Sequence, residues 1–377
     1  MALLSVPIAE LRTRTSLKWR TYDPDVLPLW VAEMDARMQP EVAATVAAAC
    51  ERSDTGYPHG TAYAEAYAAM ASARWGWEVS ATRQIRRAGD VMNSILAVLQ
   101  ATTSEGDAVV INPPVYPPFR AVVSGYGRRI VEAPLTPEGR LDLGAIEDAF
   151  SGPDAPRAYL LCSPHNPNGT VHTAAELEGV MSLASDHGVQ VIVDEIHAPL
   201  VDLGTQFVPL LSVPGGERAI SVTSAGKAWN LAAFKAGLII AGAEATRVLG
   251  HLPPLAQGSS GHFADLAHTT ALTDCQDWVD ELRGEIAANK VLLSEQLASK
   301  VPAACFRPGA GTYLAWVDCS RLGLADPATD FRERGRVAFS PGVNFAASHD
   351  RWVRINVACS PEVLIEAVDR MAATLAG

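Results

Sequence analysis

Short apolar runs recur through the middle of the chain and predict buried strands. Most of them are continuously apolar rather than alternating, which is typical of strands covered on both faces of a parallel sheet. The segments between them have helical spacing, and one begins with a capping box from Thr173 to Glu176. This alternation predicts βαβ units and a mainly parallel sheet. The runs begin at Ala108, Arg129, Ala158, Val189, Ala219 and Ala236.

The C-terminal third predicts a second, smaller unit. Its strands begin at Thr312 and Trp352, and a final helix follows Ser360 and Pro361, with the serine as N-cap and the proline as first helical residue. No helical periodicity occurs in residues 1–40, so this segment is expected to be an extended arm. A long helix joins the two units and carries an apolar stripe of Trp278, Leu282, Ile286, Leu293 and Leu297.

Composition narrows the possible functions. The chain has 377 residues, 48% of them hydrophobic and 19% charged, which is typical of a globular protein. A net charge of −12 argues against a nucleic-acid partner and against an anionic membrane, because both require a basic surface. No apolar run approaches the roughly 18 residues of a membrane span, and residues 1–15 do not resemble a signal peptide. Six scattered cysteines favour reduced thiols, so a cytoplasmic location is expected.

Four polar residues stand out at or near the ends of apolar runs. Because ligands bind at the carboxyl ends of strands in open α/β sheets, Asn166, Asp194 and Lys227 are candidate site residues. Arg354 lies on an alternating strand, where its guanidinium could bind a carboxylate through two hydrogen bonds. Taken singly, each also has a structural interpretation: a turn asparagine, a helix-capping aspartate, a solvated lysine, or an arginine in an interdomain ion pair.

The order of these residues is more specific than any one of them. Asn-Pro-x-Gly at 166–169, Asp194, Ser-x-x-Lys at 224–227 and Arg354 resemble, in that order, the fold-type I pyridoxal-phosphate (PLP) enzymes of the class I/II aminotransferase superfamily. Local stretches are similar to its cystathionine β-lyase, or C–S lyase, group, and the resemblance runs from about residue 12 to residue 358. These stretches are LKWRTYDPDVLPLWVAEMDA, TGYPHG, INPPVYPPF, LLCSPHNPNGTV and VIVDEIHAPLV.

The resemblance implies an α/β fold and a PLP-dependent carbon–sulfur lyase. Residues 41–265 would form a large domain, with a mainly parallel seven-stranded sheet between helices. Residues 1–40 and 266–377 would form a smaller α+β domain. The implied reaction is α,β-elimination from cystathionine or a related cysteine thioether, which yields a thiol, pyruvate and ammonia. A PLP-dependent aminotransferase, acting on an amino acid and a keto acid through the same residues, is the alternative that the sequence leaves open.

Roles around the cofactor ring also follow from the resemblance. Lys227 would bond covalently to PLP and remove the substrate Cα proton, and Asp194 would pair with the ring nitrogen. Asn166 would hydrogen-bond the ring hydroxyl oxygen, and Tyr116 would stack on the ring. His197 stands where aminotransferases commonly carry a tyrosine near the ring oxygen.

The phosphate requires donors, and the resemblance implies four. Val91 and Met92 precede a helix expected to begin near Asn93, so their main-chain N–H groups can point at a dianion. Ser224 offers a hydroxyl. Lys235 stands where the superfamily usually has arginine, and it can hold phosphate as a point charge.

Substrate and partner contacts complete the implied site. Arg354 would bind the α-carboxylate of an amino-acid substrate, and Trp30 and Ala32 would lie beside that substrate. Tyr57 resembles the tyrosine that reaches the phosphate of the neighbouring subunit. A homodimer with shared active sites is therefore implied, with no nucleic acid, membrane or metal as partner.

Departures from the group's pattern border the site and leave the exact substrate open. Ala198 and Pro199 follow DEIH, where the group usually has a small residue and an aspartate, and Glu33 replaces another aspartate. Other classes of enzyme match less well. No Lys-Thr-Gly follows Ser-x-x-Lys, and in a P-loop alignment of Gly226-Lys227 the upstream glycine is replaced by Ser221 and the final Ser or Thr by Ala228. Some members of the group resemble regulators that bind a transcription factor, and a second role of that kind also stays open.

Overall fold

The computed structural model describes residues 2–376, apart from the side chain of Gln257. Within that range the strands form a sheet of seven, a sheet of four and an isolated pair. They are β1 (Leu27–Pro28), β2 (Ile85–Ala88), β3 (Ala108–Ile111), β4 (Arg129–Glu132), β5 (Ala158–Cys162), β6 (Gln190–Asp194), β7 (Ile220–Thr223), β8 (Gly237–Ala241), β9 (Cys305–Phe306), β10 (Leu314–Asp318), β11 (Val337–Ala338), β12 (Ser340–Pro341) and β13 (Trp352–Asn356).

The α-helices alternate with the strands of the large sheet and then dominate the C-terminal third. None within residues 2–376 is long and apolar enough to cross a bilayer. They are α1 (Ile8–Leu11), α2 (Leu17–Arg20), α3 (Pro40–Glu51), α4 (Ala62–Trp75), α5 (Val91–Thr102), α6 (Pro118–Ser124), α7 (Leu143–Ser151), α8 (Ala174–His187), α9 (Pro254–Gln257), α10 (His262–Asp274), α11 (Gln276–Lys300), α12 (Pro327–Glu333) and α13 (Pro361–Ala376).

The seven-stranded sheet has the order β2-β8-β7-β6-β5-β3-β4. Only β8 runs against its neighbours, and the other paired strands are parallel, which confirms the predicted mainly parallel sheet. The apolar runs of β3, β5 and β7 are buried throughout. The sequence did not predict β2, because Arg86 and Arg87 interrupt its apolar pattern at the edge of the sheet.

Side chains from the sheet enter two separate apolar layers. Tyr159 and Leu161 of β5 pack into one layer, while Leu160 and Cys162 of the same strand pack into the other. Successive side chains of a strand point to opposite faces, so helices must cover both faces. The capping box from Thr173 to Glu176 begins α8 on one of them, as predicted. The sheet is therefore held between helices.

A four-stranded antiparallel sheet, ordered β12-β13-β10-β9, forms the centre of the C-terminal unit. The helix α11 and its stripe occur as predicted, and α13 begins after Ser360, whose hydroxyl accepts from the Val363 N–H at 3.4 Å. The N-terminal arm joins this unit, because β1 pairs with β11. The arm is not wholly extended, since it contains α1 and α2. Each is a single turn, too short to show helical periodicity in the sequence.

Candidate active site

A cavity of about 210 Å³ opens at the carboxyl ends of β5 and β6. Cys162 and Asp194, the last residues of these strands, are paired in register and both line the cavity. The C-terminal unit contributes Arg354 from β13. Eleven of the thirteen residues predicted for the site line this one cavity: Ala32, Val91, Met92, Tyr116, Asn166, Asp194, His197, Ser224, Lys227, Lys235 and Arg354.

Asp194 is a buried carboxylate at the end of a fully apolar strand segment. Its Oδ1 accepts from the Ile196 N–H at 3.0 Å, so it does cap the following turn, as the structural interpretation required. It forms no ion pair with any other residue of the described chain. Burial raises the pKa of Asp194 to about 7, against smaller opposing effects of the Ile196 bond and the Lys227 charge. A cationic group placed here would favour the ionised carboxylate.

Lys227 lies in the turn that follows β7, and its side chain is half-buried. Its Nζ donates to the Ala32 carbonyl oxygen at 2.7 Å. Desolvation lowers the pKa of Lys227 to about 8, and the positive charges of Arg354 and Lys235 act in the same direction. An amine with this pKa is partly neutral near pH 7 and can act as a nucleophile or a general base.

Asn166 and Arg354 meet across the cavity. The turn that carries Asn166 favours a glycine, because Gly169 has a φ of +72° and a Cβ there would lie only 3.1 Å from the Gly309 Cα atom. Arg354 is 6% exposed, and its Nη1 donates to Asn166 Oδ1 at 3.0 Å. Its Nη2 donates to the Trp30 carbonyl oxygen at 3.2 Å. Burial lowers the pKa of Arg354 to about 10, which still leaves the guanidinium charged at neutral pH.

The start of α5 lines the cavity with main-chain donors. The helix begins at Val91 rather than near Asn93, so Val91 and Met92 are its first two residues. Their N–H groups have no acceptor within the helix and are free for an anion. Asp90 is the N-cap, and its carboxylate lies 3.4 Å from Lys235 Nζ.

The Ser224 hydroxyl is already engaged in two hydrogen bonds. It donates to the Ala236 carbonyl oxygen at 2.7 Å and accepts from the Gly226 N–H at 3.0 Å. To donate to a phosphate, it would have to leave the Ala236 oxygen. These bonds hold the turn that carries Lys227, which is a structural contribution that the sequence did not predict.

Two rings flank the cavity at different depths. Tyr116 is half-buried, and its pKa is raised chiefly by burial. His197 is 3% exposed, and burial together with the charges of Lys227 and Arg354 lowers its pKa to about 3. Its Nδ1 is buried without a hydrogen-bond partner in the described chain. His197 is thus a neutral ring with an unused nitrogen at the site.

Trp30 and Tyr57 do not line the cavity. The Trp30 ring packs edge-on against Tyr22, with centroids 5.7 Å apart, and only its carbonyl oxygen contacts Arg354. Tyr57 is 95% exposed. A tyrosine in this position contributes nothing to the cavity of its own chain.

Residues 30–33 form a main-chain strap across the site, and the sequence did not predict the side chains that hold it. Asn356 Nδ2 donates to the carbonyl oxygens of Val31 and Glu33, at 2.8 and 2.7 Å. The Tyr313 hydroxyl donates to the Ala32 carbonyl oxygen at 3.0 Å, and this oxygen also accepts the hydrogen bond from Lys227 Nζ. Asn356 lies two residues after Arg354 on one strand face, which was the only available sequence signal.

The donor set fits PLP. Free N–H groups at a helix start and the nearby Lys235 suit a phosphate dianion. The unpaired buried Asp194 carboxylate suits a protonated ring nitrogen, and the neutral fraction of Lys227 suits an aldehyde carbon. No cluster of three His, Cys, Asp or Glu side chains suited to a metal ion occurs in residues 2–376.

Known proteins that are similar to this chain include a PLP-dependent enzyme, which agrees with the fit of the donor set to PLP. A Mycobacterium leprae protein assigned as a cystathionine beta-lyase is 44% identical over 393 residues, covering 99% of this chain and 98% of that protein. The cystathionine beta-lyase of Corynebacterium glutamicum is 31% identical, covering 98% of this chain and 99% of the relative. A Corynebacterium diphtheriae structure, assigned as a PLP-dependent beta-cystathionase, superposes with a TM-score of 0.94 at 30% identity, over 100% of this chain and 99% of that one.

The family model for class I and II aminotransferases matches residues 24–371, nearly the whole chain. This match confirms the resemblance based on Asn166, Asp194, Lys227 and Arg354. Because the family model and two full-length relatives agree, the protein described above belongs to the class I and II aminotransferase family.

Proposed function

We propose that this protein is a PLP-dependent enzyme that cleaves the carbon–sulfur bond of cystathionine or a related cysteine thioether by α,β-elimination. One observation carries the proposal: an amine with a lowered pKa, a buried carboxylate without a cation and a buried guanidinium all line one cavity. These groups are Lys227, Asp194 and Arg354. The relatives named as cystathionine beta-lyases supply the substrate class.

When bound, PLP supplies an electron-accepting ring that stabilises negative charge at the substrate Cα. The start of α5 and Lys235 would hold its phosphate, and Tyr116 would cover its ring. Asp194 would hold the proton of the ring nitrogen, and that cation would in turn keep Asp194 ionised. Asn166 would bind the ring oxygen while its Oδ1 stays on Arg354, so cofactor and substrate contacts share one side chain.

Arg354 orients the substrate through its α-carboxylate, and Lys227 takes the Cα proton. For this transfer Nζ must leave the Ala32 oxygen and must be neutral, which its lowered pKa makes accessible near pH 8. Loss of the Cα proton and of the sulfur substituent from Cβ yields a thiol. Hydrolysis of the remaining three-carbon fragment gives pyruvate and ammonia, so the whole reaction consumes one water and needs no keto acid as second substrate.

The decisive experiment supplies the PLP-loaded enzyme with cystathionine and no keto acid. We expect many turnovers, with pyruvate, ammonia and homocysteine formed in equal amounts. The Lys227→Ala variant is the matched control and should form none. A single conversion that stops when all cofactor has become pyridoxamine phosphate would instead identify an aminotransferase and overturn the proposal.

The proposal includes a homodimer in which Tyr57 reaches the partner's phosphate site. Tyr57 is 95% exposed, so its ring is not buried in its own chain and is accessible to a partner subunit, which supports this role. Mixing Tyr57→Ala with Lys227→Ala subunits should restore some activity, because one site of each hybrid dimer is intact. Without recovery after verified subunit exchange, the shared site would be wrong.

The predicted division of the chain is part of the same proposal. Residues 41–265 carry the large sheet, and residues 1–40 join residues 266–377 through the pairing of β1 with β11. A cytoplasmic location is also proposed, and it rests on six free cysteines, of which four are buried. Limited proteolysis and cell fractionation test these two statements.

A further inference from the structure

Arg354 is a buried cation without a carboxylate partner. No acidic side chain of residues 2–376 lies within ion-pair distance of it, although the side chain is 6% exposed. Its Nη1 and Nη2 groups donate hydrogen bonds to three neutral acceptors: Asn166 Oδ1, the Trp30 carbonyl oxygen and Ser340 Oγ. Its Nε–H group is buried and has no acceptor among the described residues. Neutral acceptors compensate only part of the cost of burying a charge.

An aromatic face lies against this guanidinium. The Phe345 ring centroid is 4.9 Å from the Arg354 Cζ atom, and Phe345 is 1% exposed. The ring is itself fixed, because Trp316 meets it edge-on with centroids 5.1 Å apart. The Phe345 carbonyl oxygen also accepts from the Val115 N–H at 3.2 Å, next to the cavity residue Tyr116. Phe345 therefore connects the C-terminal unit to the large sheet at the site.

An aromatic face has a property that suits a carboxylate-binding arginine. It attracts a cation through the ring quadrupole and uses none of the guanidinium N–H donors. A carboxylate in the same place would occupy those donors and compete with the substrate. The ring thus stabilises the charge while N–H groups stay available.

We propose that Phe345 is a positioning residue, whose ring face holds the Arg354 guanidinium in the plane that receives the substrate α-carboxylate. This inference rests on the proposed function, in which Arg354 binds that carboxylate. It assigns to the ring an electrostatic contribution in addition to its packing. Electron density in the ring, and not only its volume, should then set the affinity for a carboxylate.

The test uses the PLP-loaded enzyme and 3-(methylthio)propanoate, a thioether carboxylate that has no amino group and cannot react. Its Kd is measured by calorimetry for Phe345→Leu, with Phe331→Leu, another fully buried phenylalanine of the same unit, as matched control. We expect binding to weaken by about tenfold in Phe345→Leu and to change by less than about twofold in the control. For cystathionine, KM should rise by a similar factor while kcat changes little.

A second series separates electrostatics from packing. Progressively fluorinated phenylalanines at position 345 keep the ring shape and withdraw electron density from its face. The Kd should rise stepwise with fluorination, and a flat series would overturn the inference even if Phe345→Leu folds poorly. Arg354→Gln distinguishes the two proposals: if it binds the probe like the wild type, the carboxylate role of Arg354 itself fails. If it weakens binding but the fluorinated series is flat, only the role of Phe345 is wrong.

Discussion

At the carboxyl ends of its parallel strands the large sheet has a cavity of about 210 Å³, whereas a wider cleft of about 670 Å³ lies at the amino ends of β5, β6 and β7. Three arginines line the wider cleft, Arg157, Arg218 and Arg247, and all are exposed. In the smaller cavity Asp194 and Arg354 are buried. The size of a cleft and the charges that line it therefore do not identify a reactive site.

Burial shifts the pKa values of the ionisable groups at the carboxyl edge of the sheet. At the carboxyl edge, desolvation moves the pKa of Asp194 to about 7 and that of Lys227 to about 8. At the amino edge the arginines are exposed to solvent, and residues at the C-terminal ends of α5 and α8 line the cleft, where the helix dipoles favour cations. The arginines there are explained as solvated cations near helix C-termini.

The largest contrast between the edges should come from Lys227→Ala. Turnover should fall by several orders of magnitude, because the proposed bond to the cofactor and the proposed base would both be lost. Arg218→Gln, at the amino edge, should leave turnover unchanged. Borohydride reduction and peptide mapping of the wild type should place the cofactor on Lys227. A labelled Lys235 would instead mean that these two lysines have exchanged roles.

Asp194→Asn should have nearly as large an effect on the reaction. The amide can still accept from the Ile196 N–H, so the turn should stay capped, but it cannot carry the negative charge that is proposed to hold a proton on the ring nitrogen. We expect bound PLP and a Cα proton exchange rate, measured in deuterated water, that is lower by several orders of magnitude. Exchange near the wild-type rate would reduce Asp194 to a turn cap.

A pH titration of the PLP-free protein tests the lowered pKa of Lys227 directly. The lowered pKa of Lys227, about 8, makes its neutral amine appear at lower pH, so about a tenth should be neutral at pH 7. Its labelling by an amine reagent, quantified by mass spectrometry, should rise with pH through about 8.

The charged groups around this amine allow a matched variant. Arg354 and Lys235 lower its pKa, while Glu33 and Asp194 raise it. Removing the positive charge in Arg354→Gln should therefore move the midpoint upward. If Lys227 in the wild-type protein were labelled with a midpoint near 10.5, the ordinary pKa of a lysine, the inferred desolvation of its amine would be wrong.

Tyr313→Phe should have the smallest effect of these variants. It removes one hydrogen bond to the Ala32 oxygen, worth about 1 kcal/mol, so kcat should fall by at most roughly fivefold. Asn356 still holds the neighbouring carbonyl groups, so the strap should keep its place. Thermal unfolding within a few degrees of the wild type would exclude a general loss of structure, and an unchanged kcat would mean that this hydrogen bond does not contribute to turnover.

The parts of the fold that were predictable are those with a local pattern. Continuous apolar runs indicated β3, β5 and β7 because both of their faces are buried. The capping box of α8 was equally local. The edge strand β2 was missed because Arg86 and Arg87 break its pattern, and the single turns α1 and α2 are too short to show one.

The order of motifs in the sequence alone indicated the family and the candidate residues of the site, because motif order can be read without coordinates. Asn166, Asp194, Lys227 and Arg354 were all identified in this way. The three-dimensional fold sets which neighbours these residues have, and the sequence did not predict them. It placed the Ala32 oxygen on Lys227 and the Phe345 ring on Arg354. Such contacts join segments far apart in the chain, and pKa values depend on burial and nearby charges, which no local pattern encodes.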